Sequence, residues 1–166
     1  GGELPIHLLL QNPNMTTEML ITMVKAWPES LKQNTTVLKD QNGDQTGCEL
    51  PIHLLVKKTN LTMQMLVTLV EAWPRSLKEE RTVLQDPDGT QTGGELPIHL
   101  MLTNPNVTVE MLTTLVEALP ECVKEKTIVL NDYEGNQTGG EIPIHLLLKN
   151  PNVTIEMVTI LLDRFP

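Results

Sequence analysis

The chain has 166 residues, 40% of them hydrophobic, and a formal charge of −9 from 21 acidic and 12 basic side chains. That length and apolar content suffice for one domain with a sizeable core, while the negative charge repels phosphate backbones and anionic lipid. Trp27, Trp73, Tyr133 and Phe165 complete the aromatic complement, too few to stack single-stranded bases, and no apolar run nears the roughly 20 residues of a membrane-spanning helix; neither nucleic acid nor membrane insertion is expected.

Set against itself, the sequence aligns Gly1, Gly47, Gly93 and Gly139 at intervals of 46 residues with no insertion or deletion between them. Self-similarity of this period is the mark of a solenoid, in which each unit buries its apolar face against its neighbours. The expected organisation is one array spanning residues 1–166, with repeats 1–46, 47–92 and 93–138 and a partial repeat 139–166. Gly1-Gly2-Glu3 already lies inside a unit and Phe165-Pro166 stops partway through one, which reads as an excerpt of a longer array.

Each unit opens on Pro-Ile-His-Leu, at Pro5, Pro51, Pro97 and Pro143. Proline lacks an amide hydrogen and has its φ preset, so it suits the first turn of a helix. The first helix is expected near residues 5–11, ending at Asn12-Pro13-Asn14, a turn signal repeated at Asn104-Pro105-Asn106 and Asn150-Pro151-Asn152 and replaced by Lys58-Thr59-Asn60 in the second copy. A second helix follows near residues 17–27, with Thr16, Thr62, Thr108 and Thr154 as its N-caps. Met19, Leu20, Met23, Val24 and Trp27 fall on one face of it, and Pro28, Pro74, Pro120 and Pro166 end it. Thr36-Val37-Leu38, the glycine turn at Asp40-Gln41-Asn42-Gly43 and the return at Gln45-Thr46-Gly47 then predict a β-hairpin.

A turn of the form Asp-x-x-Gly, a short helix carrying Pro-Ile-His-Leu and a second helix carrying Glu-Met-Leu-x-x-Leu-Val resemble the ankyrin repeat in all four copies. The resemblance implies a mainly α fold with β-hairpins, a helix-turn-helix plus hairpin solenoid. The family pattern is Thr-Pro-Leu-His; Leu50 stands in the threonine position before Pro51-Ile52-His53, leaving the customary hydroxyl–imidazole contact without its hydroxyl. Ankyrin units are about 33 residues long, so this unit is longer by roughly 13, with about two extra residues expected between the helices and about eleven around the hairpin. Long fingers are therefore expected, able to pair edge to edge through Val37, Val83 and Val129 into a continuous sheet.

His7, His53, His99 and His145 share one register. Packed helices lie about 8–10 Å apart and zinc binds nitrogen at about 2.0–2.1 Å, so neighbouring histidines do not share an ion; burial and a local hydrogen bond are expected, and no metal. Glu3, Glu49, Glu95 and Glu141 form a second ladder, but identical groups on a regular surface are not the unlike, converging groups that catalysis needs. The glycine of the Asp40, Asp86 and Asp132 loops comes fourth rather than sixth, which fits a tight turn and not an EF-hand. Neither enzyme activity nor a cofactor is expected. Cys48 and Cys122 sit at different registers and suggest no disulfide framework.

Two functional readings follow. The first is a protein-interaction scaffold, as the resemblance implies, binding through first-helix faces and hairpin tips; the tips differ between copies at Gln41, Asn42 and Asp44, at Pro87, Asp88 and Thr90, and at Tyr133, Glu134 and Asn136. The second is a structural solenoid or fibre built by stacking on further copies end to end. Asn14, Asn34, Asn60, Asn106, Asn136 and Asn152 all begin Asn-x-Thr triplets, the acceptor pattern for N-glycosylation. Asn14, Asn60, Asn106 and Asn152 are expected to face solvent. Sugar on them places the chain outside the cell or on its surface, bare asparagines place it in the cytoplasm, and the sequence leaves the localisation open.

Overall fold

The computed structural model describes residues 3–165. Gly1 and Pro166, the opening glycine and the last helix-ending proline, lie outside the described residues. Each repeat starts with a short helix: α1 is Pro5–Gln11, α3 is Pro51–Val56, α5 is Pro97–Thr103 and α7 is Pro143–Lys149. A second helix runs antiparallel beside it: α2 is Thr17–Ala26, α4 is Met63–Ala72, α6 is Val109–Ala118 and α8 is Ile155–Asp163. The hydroxyls of Thr16, Thr62, Thr108 and Thr154 accept the backbone N–H three residues on at 3.2–3.3 Å, satisfying one orphan donor at each start.

Proline does more than stop the second helix. Pro28–Lys32, Pro74–Lys78 and Pro120–Lys124 each form a 3-10 turn with the proline at its first position, where its missing N–H goes unneeded. The turn buries Ser30 and Leu31, Ser76 and Leu77, or Cys122 and Val123, and Ser30 Oγ donates to the Trp27 carbonyl at 2.6 Å. Five residues of each of the first three repeats therefore lie in this core-packed turn. Long fingers are not what the residues build.

The hairpins are short: Leu38–Lys39 (β1) with Gln45–Thr46 (β2), Leu84–Gln85 (β3) with Gln91–Thr92 (β4), and Leu130–Asn131 (β5) with Gln137–Thr138 (β6). Among the described residues they form three separate two-stranded antiparallel sheets, which corrects the expected edge-to-edge pairing through Val37, Val83 and Val129; those valines are exposed. At each turn the glycine N–H donates to the aspartate carbonyl, Gly43 to Asp40 at 3.1 Å, Gly89 to Asp86 at 2.9 Å and Gly135 to Asp132 at 3.0 Å. A second glycine row, Gly47, Gly93 and Gly139, has φ between +102° and +110°. A Cβ there would overlap the carbonyl oxygens of Thr36, Thr82 and Ile128, so the residues that mark the repeat are steric necessities.

First helices stack in one row (α1 on α3, α3 on α5, α5 on α7) and second helices in another (α2 on α4, α4 on α6, α6 on α8). The core runs between the rows through Ile6, Leu20, Ile52, Leu66, Ile98 and Leu112. Cys48 and Cys122 are free thiols, and burial pushes the Cys122 thiol up to about 12, which keeps it protonated and inert.

Candidate functional site

Three ladders, each one residue per repeat, set the frame from which the surface projects. The first is histidine. His7, His53 and His99 are buried. Their Nδ1 atoms accept the backbone N–H of Leu4, Leu50 and Leu96 at 3.1–3.2 Å, so the proton sits on Nε2, which donates to the carbonyls of Gln33, Glu79 and Glu125 at 2.8–3.0 Å. The ring joins the helix start to the residue that caps the 3-10 turn, and a leucine backbone amide supplies the partner of Nδ1. Burial pushes His53 down to about 4 and His99 in the same direction. His145 departs from the expected burial: it is exposed, and the register position of its carbonyl partner, 26 residues on in the other copies, falls past residue 166.

The second ladder is glutamate: Glu3 Oε1 accepts from Gln11 Nε2 at 3.2 Å, and the carboxylates of Glu49, Glu95 and Glu141 meet cations. Glu49 Oε1 lies 2.5 Å from Lys57 Nζ and 2.7 Å from Arg81 Nε, while Arg81 Nη1 donates to Glu95 Oε2 at 3.0 Å. The Nε contact is an ion pair without hydrogen-bond alignment, since that nitrogen has no hydrogen-bond partner. Arg81 thus ties the second repeat to the third. Thr35 and Thr127 hold the same register, where their hydroxyls accept the N–H of Glu49 and Glu141 at 3.0 Å. Glu141 pairs with Lys149.

The third ladder lies at the Asn-Pro-Asn turn signal between the helices. Asn104 Nδ2 donates to the carbonyls of Val56 at 2.8 Å and Lys58 at 2.9 Å in the preceding repeat, and Asn150 Nδ2 does the same to Leu102 at 2.7 Å and Asn104 at 3.0 Å. Both side chains are buried. In the second copy, where lysine replaces asparagine, Lys58 Nζ donates to Leu10 at 2.7 Å and Asn12 at 3.1 Å. The departure in sequence keeps the donor and its two acceptors.

Adjacent hairpins are also stapled by side chains. Gln45 donates through Nε2 to the Gln85 carbonyl and through its backbone N–H to Asp86 Oδ1 at 2.5 Å; Gln91 Oε1 accepts from the Asn131 backbone N–H at 3.1 Å and from its Nδ2 at 3.3 Å. The recurrence of Gln45-Thr46, Gln91-Thr92 and Gln137-Thr138 was the available signal for these staples.

On this frame, Gln41, Asn42, Asp44, Pro87, Asp88, Tyr133, Glu134 and Asn136 are exposed, and Thr90 is half-buried. The turn carboxylates organise the tips: Asp40 Oδ1 accepts the N–H groups of Asn42 and Asp44 at 2.8 and 3.0 Å, and Asp132 Oδ1 those of Glu134 and Asn136 at 2.9 and 2.8 Å. Desolvation and then the charges of Asp40, Asp86 and Asp88 raise the Asp44 carboxyl, so the first two tips form one acidic edge. Beside the third hairpin, Leu100, Leu146, Ile128 and Leu130 line a groove of about 300 Å³ flanked by Glu95 and Glu141. Among the described residues no three His, Cys, Asp or Glu side chains gather as metal ligands would.

All six sequon asparagines are exposed, though not all are free. Asn106 Nδ2 donates to the Thr59 carbonyl at 2.9 Å and Asn152 Nδ2 to the Pro105 carbonyl at 2.7 Å, each in the preceding repeat. Asn136 Nδ2 bonds Asp132 and Glu134 at 3.0 and 3.2 Å.

Compared with known proteins, the chain matches no family model, no curated protein and no solved structure. The fold and surface define it as a stack of helix–helix–hairpin repeats.

Proposed function

We propose that this chain is a non-enzymatic binding scaffold, a long variant of the ankyrin repeat, that meets a basic protein partner along its hairpin tips and the adjoining first-helix face. The observation that carries this reading is the contrast between frame and tips. Histidine, threonine cap and glycine recur at fixed registers, while the outward tip residues change from copy to copy. Recognition needs that kind of variation on a rigid support. The acidic edge of Asp40, Asp44, Asp86 and Asp88 selects a cationic surface, and the apolar groove offers area for a side chain between the charges.

Selection from a displayed peptide library tests it. The enriched peptides are expected to be rich in lysine or arginine, to weaken steeply with salt, and to lose the variant Asp44→Ala, Asp88→Ala, Tyr133→Ala, Glu134→Ala. Peptides that bind this variant and the parent equally would overturn the tip reading.

A second reading, a sugar-coated structural array, is favoured by the exposure of Asn14, Asn34 and Asn60. Intact-mass analysis of natively produced protein checks it: hexose-bearing adducts support it, and an unmodified mass returns the chain to the bare scaffold.

A further inference from the structure

We propose that the groove between the third and fourth repeats seats one arginine side chain of the partner, with its guanidinium held between Glu95 and Glu141. The inference rests on the reading of the chain as a binder of a basic protein and names the residue that anchors it. The repeats themselves carry the argument, because the same place one unit earlier is already occupied. There Arg81 lies between the equivalent glutamates: its Nε is 2.7 Å from Glu49 Oε1, and its Nη1 donates to Glu95 Oε2 at 3.0 Å. Lys57 Nζ brings a second cation to Glu49 at 2.5 Å.

One repeat further on, both cations are replaced while the acids stay. Thr127 stands in the register of Arg81 and Thr103 in that of Lys57. In this unit a groove of about 300 Å³ is lined by both threonines, both glutamates, Leu100, Ile128, Leu130 and Leu146. Glu95 holds Arg81 through Oε2, and its Oε1 takes no donor among the described residues. Glu141 Oε1 meets Lys149. Lys126, next to Thr127, is exposed and makes no ion pair among the described residues. Arg81 reaches the glutamate of its own repeat and that of the next, so by register the bridge from Glu95 to Glu141 falls to residue 127, inside the chain. A further repeat on either side would bring its bridging residue to a different pair of glutamates.

The template also says which cation fits. A guanidinium is a planar fork with donors on both sides and spans two carboxylates as Arg81 does, whereas an ammonium is a point charge. The aliphatic side chains of the groove suit the arginine stem.

NMR titration of the methyl-labelled chain with N-acetylarginine methylamide, beside its lysine counterpart, tests the inference. The arginine probe is expected to shift the methyl signals of Ile128, Leu130 and Leu146 saturably and to bind about tenfold tighter than the lysine probe. Thr103→Lys with Thr127→Arg supplies from within the cations of the second repeat; it should keep the parent's circular dichroism and lose the shifts. Glu141→Gln should weaken the arginine probe about tenfold and serves as the check if the filled variant misfolds. Absence of saturable shifts, equal binding of the lysine probe, or a filled or Glu141→Gln variant that binds as the parent does would overturn the proposal. The tip variant Asp44→Ala, Asp88→Ala, Tyr133→Ala, Glu134→Ala keeps every residue of the groove and should bind the arginine probe like the parent. Library peptides that ignore the tips therefore break the tip reading and leave these shifts in place, while missing shifts alongside tip-dependent peptides break this inference alone.

Discussion

The third and fourth repeats carry nearly the same residues at the same registers and surround them differently. His99 and Leu102 are buried, while His145 and Leu148 are exposed. Sequence alone assigns one role to each pair; burial depends on whether another repeat lies on top. Stability in such a stack resides in the interfaces between units as much as within them. A side chain's contribution is then set by its position in the array.

Substitution at one register in two positions puts that contrast to its hardest test. Leu102→Ala empties a fully buried site and is expected to cost about 2–5 kcal/mol. Leu148→Ala removes an exposed side chain and should stay within about 0.5 kcal/mol at concentrations where the chain is monomeric. Urea denaturation of the two variants checks the pair, and equal losses would break the comparison.

Acid provides the next largest effect. The His53 imidazole titrates at about 4 in the fold against an ordinary 6.5, so between those values the unfolded chain binds the proton and the folded one does not. Stability therefore rises with pH across that window: the contribution is complete above about 6.5 and is lost as pH falls towards 4. The full shift corresponds to about 3 kcal/mol. Replacement by glutamine should flatten the acid limb of a stability-against-pH curve, and an unchanged limb would remove His53 from the account. His145→Ala, by contrast, is expected to leave stability within about 0.5 kcal/mol at neutral pH.

The asparagine ladder sharpens the contrast at polar sites. Asn104→Ala orphans two carbonyls and one N–H at a buried position, for an expected loss of about 1–3 kcal/mol; Asn12→Ala, exposed, should lose about 0.5 kcal/mol or less. Lys58→Asn restores the donor type of the other copies and should be tolerated, whereas Lys58→Met should not. Thermal melts of the four variants decide the matter.

Much of this fold was legible from local chemistry. A proline that starts a helix, a threonine that caps one and a glycine that turns a hairpin each act within a few residues, and the 46-residue spacing repeats them in phase. What escaped was of two kinds. Pro28, Pro74 and Pro120 predict stops, though the same fixed φ that ends an α-helix also starts a 3-10 turn. The donors Lys58, Asn104, Asn150 and Gln45 act on residues 40–48 positions away, and no local periodicity reports a bond across that interval. The tips were legible as variable turns; their shared acidic edge was not, because it forms only when Asp44 and Asp86 come from neighbouring repeats.

The smallest expected effect concerns one residue that breaks its own register. Gly94 and Gly140 follow the repeat-marking glycines with φ of +78° and +70°, and Cys48 stands at the same place with φ of +54°, the one non-glycine residue in the left-handed region among those described. A side chain there costs about 1–2 kcal/mol, partly offset because glycine gives the unfolded chain more freedom, about 0.5–1 kcal/mol. Cys48→Gly should therefore stabilise the chain by about 0.5 kcal/mol, read as a small rise in the urea midpoint with an unchanged slope. The reverse change is not its mirror image. A Cβ at Gly94 would lie 2.8 Å from the Ile128 Cβ of the following hairpin, so Gly94→Ala adds overpacking to strain and should cost about 1–3 kcal/mol. Loss of stability in Cys48→Gly would mean that the thiol makes a contact outweighing its backbone strain.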